Sequence, residues 1–148
     1  MDYILVNEQI KVLIEDFGDN TIGMLSNISS LLFMEMKNVN WVGFYFEKDN
    51  NLILGPFQGK PACMKIEYGK GVCGTALEKD EIMLVPNVHE FSGHIACDSN
   101  SNSEIVIPIH KDNKVWGVLD IDSPLINNFN LDDYEGLKNI VNTIEGFI

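Results

Sequence analysis

Apolar residues recur at three- and four-residue steps between Asp19 and Lys37: Ile22, Leu25, Ile28, Leu32 and Met36, with Ser and Asn among them. That spacing predicts an amphipathic helix, capped by Asp19 or Asn20. The period then changes. Asn40 opens WVGFYFE, whose aromatic and β-branched content suits a strand. The polar turn Lys48-Asp49-Asn50-Asn51 leads to LILGPF, so the two runs read as a hairpin that Pro56 and Gly59 break. CMKIEY reads as a short strand, and Gly69 and Gly71 bracket a turn into a helix starting near Val72 and running through TALEKD. IMLVP is another short strand, ended by Pro86. From Asn87 to Ser103 no period is visible. A connection of that length without elements of its own is usually functional or disordered. EIVIPI, the turn KDNK and VWGVLDID form a last hairpin. Phe129 then starts a terminal amphipathic helix with Leu131, Tyr134, Leu137, Ile140, Val141 and Ile144 toward the core. The order predicts an α+β fold, a central antiparallel sheet with helices packed on it.

Composition narrows the partners. A chain of 148 residues suits one domain, residues 1–148, able to bury roughly 70% of its unfolded surface. The net charge is −12, with ten basic residues and no arginine. Nucleic acid and anionic membrane both require clustered Lys and Arg, so neither is an expected partner. No apolar run approaches the ~18–20 residues that span a bilayer. The start, MDYILVNEQIKVLIEDF, lacks a basic region and is interrupted by acids, unlike a signal peptide. The expected compartment is the reducing cytosol, where three cysteines mean thiols, a metal or a transient disulfide.

All three cysteines fall between Gly55 and Asp122. Cys63 and Cys73 stand in the glycine-rich run GPFQGKPACMKIEYGKGVCGTA, and small neighbours suggest reachable sulfurs. Cys97 lies in the aperiodic stretch. His94 favours its thiolate and Asp98 opposes it; an isolated loop cysteine is more often incidental, but two further thiols supply what a redox cysteine needs. Cys73, in the first turn of a helix, reads either as packing or as a thiol whose pKa the helix start lowers; the same N–H groups could hold a carboxylate instead.

Asp120 and Asp122 alternate with Leu119 and Ile121, which puts both carboxylates on one face of a strand. Glu104, at the start of the hairpin partner, falls near the same end. Solvated strand ends also carry acids. Three gathered carboxylates, however, repel unless a cation or a proton is shared among them. Trp41 and Tyr45, four apart on a strand, read as core or as the aromatic wall of a pocket. A zinc site from His89, His94 and the cysteines is a weak reading, because the paired ligand spacings are missing.

Six segments in order resemble the free methionine-(R)-sulfoxide reductases, single-domain enzymes of GAF fold: NWVGFY from Asn40, LGPFQGKPAC from Leu54, GKGVCGTA from Gly69, GHIACDS from Gly93, SEIVIPI from Ser103 and GVLDIDSP from Gly117. The resemblance implies Cys97 as nucleophile, Cys63 as its resolving partner and Cys73 as a thiol able to exchange in. Glu104, Asp120 and Asp122 would bind the substrate, with Trp41 and Tyr45 as the apolar wall. The implied substrate is free L-methionine (R)-S-oxide and the implied reductant is thioredoxin or a similar dithiol. No cofactor or metal is implied, and a homodimer is compatible with the chain. The rival reading is a GAF module that binds a small molecule without turning it over, since fold does not dictate function.

Overall fold

The computed structural model describes residues 1–16, 18–93 and 100–148. Its elements are α1 (Tyr3–Glu15), α2 (Thr21–Glu35), β1 (Trp41–Lys48), β2 (Asn51–Gly59), β3 (Lys65–Glu67), α3 (Gly71–Lys79), β4 (Met83–Val85), β5 (Ser103–Lys111), β6 (Lys114–Ser123) and α4 (Leu131–Glu145). The strands form one sheet in the order β3-β2-β1-β6-β5-β4, every pairing antiparallel.

Period two sorts the side chains of the three central strands onto two faces. Val42 and Phe44 of β1, Leu119 and Ile121 of β6, and Ile105, Ile107 and Ile109 of β5 share one face, and α1, α2 and α4 cover it. These residues are almost wholly buried, and each such side chain contributes about 1.5–3 kcal/mol. The other face carries Trp41, Tyr45, Val106 and Val118, packed under α3 with Val72, Ala76 and Leu77. α4 opens on a capping box, in which Asn130 accepts from the Asp133 N–H and Asp133 accepts from the Asn130 N–H.

Four sequence expectations change. β2 runs through Pro56 to Gly59 rather than breaking there, because the register against β1 shifts between Gly43 and Tyr45. A bulge at that point removes the need for the N–H that proline lacks. The N-terminal segment, assigned no element above, is helix α1 and buries Val6, Ile10 and Ile14. Exposed Ile4, Leu5 and Val12 on its other sides hide the period. Leu131 is exposed, since it stands six residues before Leu137, about 240° round the helix. The aperiodic stretch also holds a short 3₁₀ turn, Val88–Glu90.

His110, near the end of β5, ties α3 to α4. Its Nε2 meets Asp80 Oδ1 at 2.5 Å, and its Nδ1 and backbone N–H meet Glu145 Oε2 at 3.1 and 2.7 Å. Partial burial works against the charged ring, but the two carboxylates outweigh it and raise the pKa above the usual histidine value. A raised folded pKa means stability that is fully present below the unfolded value, about 6.5, and is lost as pH climbs through the folded one. The stability difference between the wild type and His110→Asn should therefore shrink as pH rises from about 6.5. Chemical denaturation at a series of pH values checks this; a difference independent of pH contradicts the ion pairing.

Candidate active site

The register gathers the acids. Trp41 pairs with Asp122 and Gly43 with Asp120, while Asp122 pairs across with Glu104 and Asp120 with Val106. Paired residues point to the same side of a sheet, so Trp41, Tyr45, Glu104, Asp120 and Asp122 share the face under α3. All five line one cavity of about 50 Å³, together with Cys73. The expected face and clustering are therefore found.

Two tethers fix the aromatic wall. Trp41 Nε1 donates to the Lys60 carbonyl at 3.1 Å, and the Tyr45 hydroxyl donates to the Cys63 carbonyl at 3.2 Å. The indole stacks between Tyr45 and Phe57, with ring centroids 5.8 and 5.2 Å away. Gly43 makes room for it: a Cβ there would stand 2.6 Å from the indole ring and 2.4 Å from the Phe57 Cβ. The wall and the Cys63 segment are thus one unit, and Pro61 and Ala62 line the cavity beside it.

Burial decides the electrostatics. Glu104 and Asp120 are 8% and 5% exposed, and among the described residues no basic side chain is hydrogen-bonded to either. Burial pushes Glu104 well up, and Asp120 and Asp122 push it further by repulsion and by hydrogen bonds that favour the protonated form. Asp120 is also raised by burial, but its bonds from Glu104 and Cys73 hold it back. Both acids are thus pushed toward the protonated form, and a proton is shared within the cluster. Asp120 Oδ1 is buried with no hydrogen-bond partner among the described residues. Burial likewise raises Tyr45, with Asp120 adding to it.

Of the two sequence readings of Cys73, the structure shows packing and not the lowered pKa. It is a buried thiol, 4% exposed, with Sγ 3.8 Å from Glu104 Oε2. Burial, then Asp120 and Glu104, push its pKa well above the usual thiol value. These effects overwhelm the lowering expected at a helix start. The glycines around it serve close packing, not access: a Cβ on Gly74 would come 2.4 Å from the Glu67 carbonyl. Cys63 is half-buried and disulfide-bonded. Cys97 and His94 lie outside the described residues. His89 is exposed, bonded through Nε2 to Asn102 Oδ1 at 2.7 Å, and is not among the residues lining the cavity.

Sequence reasoning missed several lining residues. Ser101, buried and accepting from Asn40 Nδ2 at 3.3 Å, belongs to the aperiodic stretch, where nothing distinguishes it from its polar neighbours. Lys70, Gly71 and Val72 bring the start of α3 to the cavity. Lys70 makes no side-chain hydrogen bond as N-cap, which leaves that helix end available to an anion.

A GAF domain family model matches residues 20–146. The free methionine-R-sulfoxide reductase of Escherichia coli is 49% identical over 121 residues, spanning 82% of this chain and 73% of that protein. The fRMsr of Staphylococcus aureus, solved in complex with substrate, is 52% identical, with a TM-score of 0.93 over 99% of this chain and 95% of that one. The free methionine-R-sulfoxide reductase of Neisseria meningitidis, also solved with its substrate, is 38% identical, with a TM-score of 0.92 over 97% of this chain and 86% of that one. The GAF fold expected from the sequence is therefore the one observed, and the chain belongs to the free methionine-(R)-sulfoxide reductases of the GAF family.

Proposed function

We propose that the protein, acting as a single catalytic domain over residues 1–148, reduces free L-methionine (R)-S-oxide to L-methionine. The observation that carries this reading is the cavity that joins the carboxyl groups of Glu104, Asp120 and Asp122 to an aromatic wall and a helix start. A free amino acid offers a matching set of groups. Its ammonium finds counter-charge in Asp120 and Asp122. Its carboxylate meets the N–H groups where α3 begins, and its thioether end lies along Trp41 and Tyr45.

The reaction needs a nucleophile and an acid. Cys97 thiolate attacks the sulfoxide sulfur while Glu104 gives its proton to the sulfoxide oxygen. The S–O bond of the substrate breaks, the oxygen passes to the cysteine as sulfenic acid, and methionine leaves, reduced by two electrons. Cys63 thiol then displaces water from the sulfenic acid, forming a disulfide with Cys97. Thioredoxin or a similar dithiol restores both thiols, as the reducing cytosol permits. That Cys63 is disulfide-bonded while Cys73 is a thiol supports Cys63 as the resolver. Cys73, protonated and buried against Glu104, is a secondary exchange partner at most.

A cavity that holds the ammonium and carboxylate excludes the same side chain within a polypeptide. N-acetyl-methionine sulfoxide and a peptide carrying the residue internally should not be reduced under conditions where the free amino acid turns over. Comparable rates on all three, measured as methionine formed, would refute this reading.

A further inference from the structure

We infer that the cavity floor formed by Cys73, Glu104 and Asp120 is a binding site for a borderline divalent metal ion of the zinc class, occupied in exchange with substrate. One donor atom from each of the three residues lies within 4.8 Å of the other two. The bonds of tetrahedral zinc to sulfur and oxygen imply ligand separations of about 3.3–3.8 Å. Cys73 Sγ and Glu104 Oε2 are already 3.8 Å apart. Small side-chain shifts close the rest, and the cavity leaves the fourth position to water or another ligand.

A buried acid pair beside a thiol is not a metal site by itself, since protons can satisfy it. The second observation is Asp120 Oδ1, which is buried, belongs to a residue lining the cavity and has no hydrogen-bond partner among the described residues. A carboxylate oxygen in that condition costs free energy until a cation reaches it. The donor set decides which cation. Magnesium and calcium favour six or more oxygens, whereas the three donors gathered here include a thiol. One sulfur and two carboxylate oxygens suit zinc, with cobalt as its spectroscopic substitute. The chain's net charge of −12 raises the local concentration of any cation, and exposed Pro61 and Lys70 mark an open mouth.

The ion and the substrate ammonium both claim Asp120, so they exclude each other. Zinc bound here makes the protein unable to accept methionine sulfoxide and leaves the redox pair untouched. The inhibitory consequence rests on the proposed reaction; the binding site itself does not.

The test uses the oxidised protein, in which Cys73 remains a thiol, titrated anaerobically with cobalt(II) and then with zinc. One equivalent of cobalt should produce a near-ultraviolet thiolate-to-metal charge-transfer band that zinc abolishes. Cys73→Ser should remove the band. Asp120→Asn should weaken cobalt binding by more than about tenfold, the least expected when even an outer partner of a metal ligand is lost. L-methionine (R)-S-oxide added to the unmutated cobalt protein should bleach the band, which guards against a variant that fails to fold. Absence of the band in the wild type, its survival in Cys73→Ser, or indifference to methionine sulfoxide in a protein that reduces it overturns the proposal. Turnover by metal-free protein is scored separately and bears only on the reaction.

Discussion

Replacing Cys97 by serine abolishes methionine release even in a single turnover, whereas replacing Cys63 by serine leaves one turnover intact. The difference follows from the two steps. A serine hydroxyl near neutral pH is a far weaker nucleophile than a thiolate, so without Cys97 no sulfoxide oxygen is accepted. Without Cys63 the first step proceeds, releases about one methionine per protein and stalls at the sulfenic acid when thioredoxin is the reductant. A small thiol restores part of the turnover by attacking that sulfenic acid directly. Cys73→Ser has a milder effect, because its thiol is buried and held protonated by burial and by Asp120 and Glu104. Quenched single-turnover assays with mass measurement of the oxidised protein check all three. A burst kept by Cys97→Ser and lost by Cys63→Ser would reverse the assignment of nucleophile and resolver.

Asp120→Asn lowers kcat/KM by about 10²–10³, the scale for losing a preorganised charge at a reacting centre, and raises thermal stability. The two effects share a cause. Asp120 is buried, adds its charge to a crowded cluster with Glu104 and Asp122, and leaves Oδ1 without a partner among the described residues. An amide in its place cancels the like charge and adds a donor toward Glu104. Relief of ~1 kcal/mol corresponds to a Tm about 2–4 °C higher in a domain of this size. Asp122→Asn moves both quantities the same way but less in stability, because Asp122 is only half-buried. Kinetics with free methionine sulfoxide beside thermal melts give the answer. Full turnover in both variants means that these carboxylates take no part in binding or catalysis.

The fold was legible wherever one period held over a whole element. β1, β5 and β6 alternate cleanly, and their register alone carries Asp120, Asp122 and Glu104 to one face. α1 was hidden because its apolar residues, Ile4, Leu5 and Val12 among them, surround the helix and blur the stripe of Val6, Ile10 and Ile14. The site was legible in its residue types more than in its states. That Trp41 and Tyr45 share a face could be read from their spacing, but the tethers to Lys60 and Cys63 are long-range contacts without a local signal. Glycines beside Cys73 suggested an open sulfur, yet Gly74 is small so that α3 can approach the Glu67 carbonyl. Local sequence cannot distinguish a glycine that exposes a neighbour from one that buries it.

The central claim is that one cavity selects one sulfur epimer of one free amino acid and reduces it. The most direct measurement incubates the protein with L-methionine (R)-S-oxide and L-methionine (S)-S-oxide separately, with dithiothreitol as reductant, and quantifies methionine. The account predicts repeated turnover of the R epimer and no methionine above background from the S epimer. Equal release from both epimers, or binding of the R epimer without release, contradicts it.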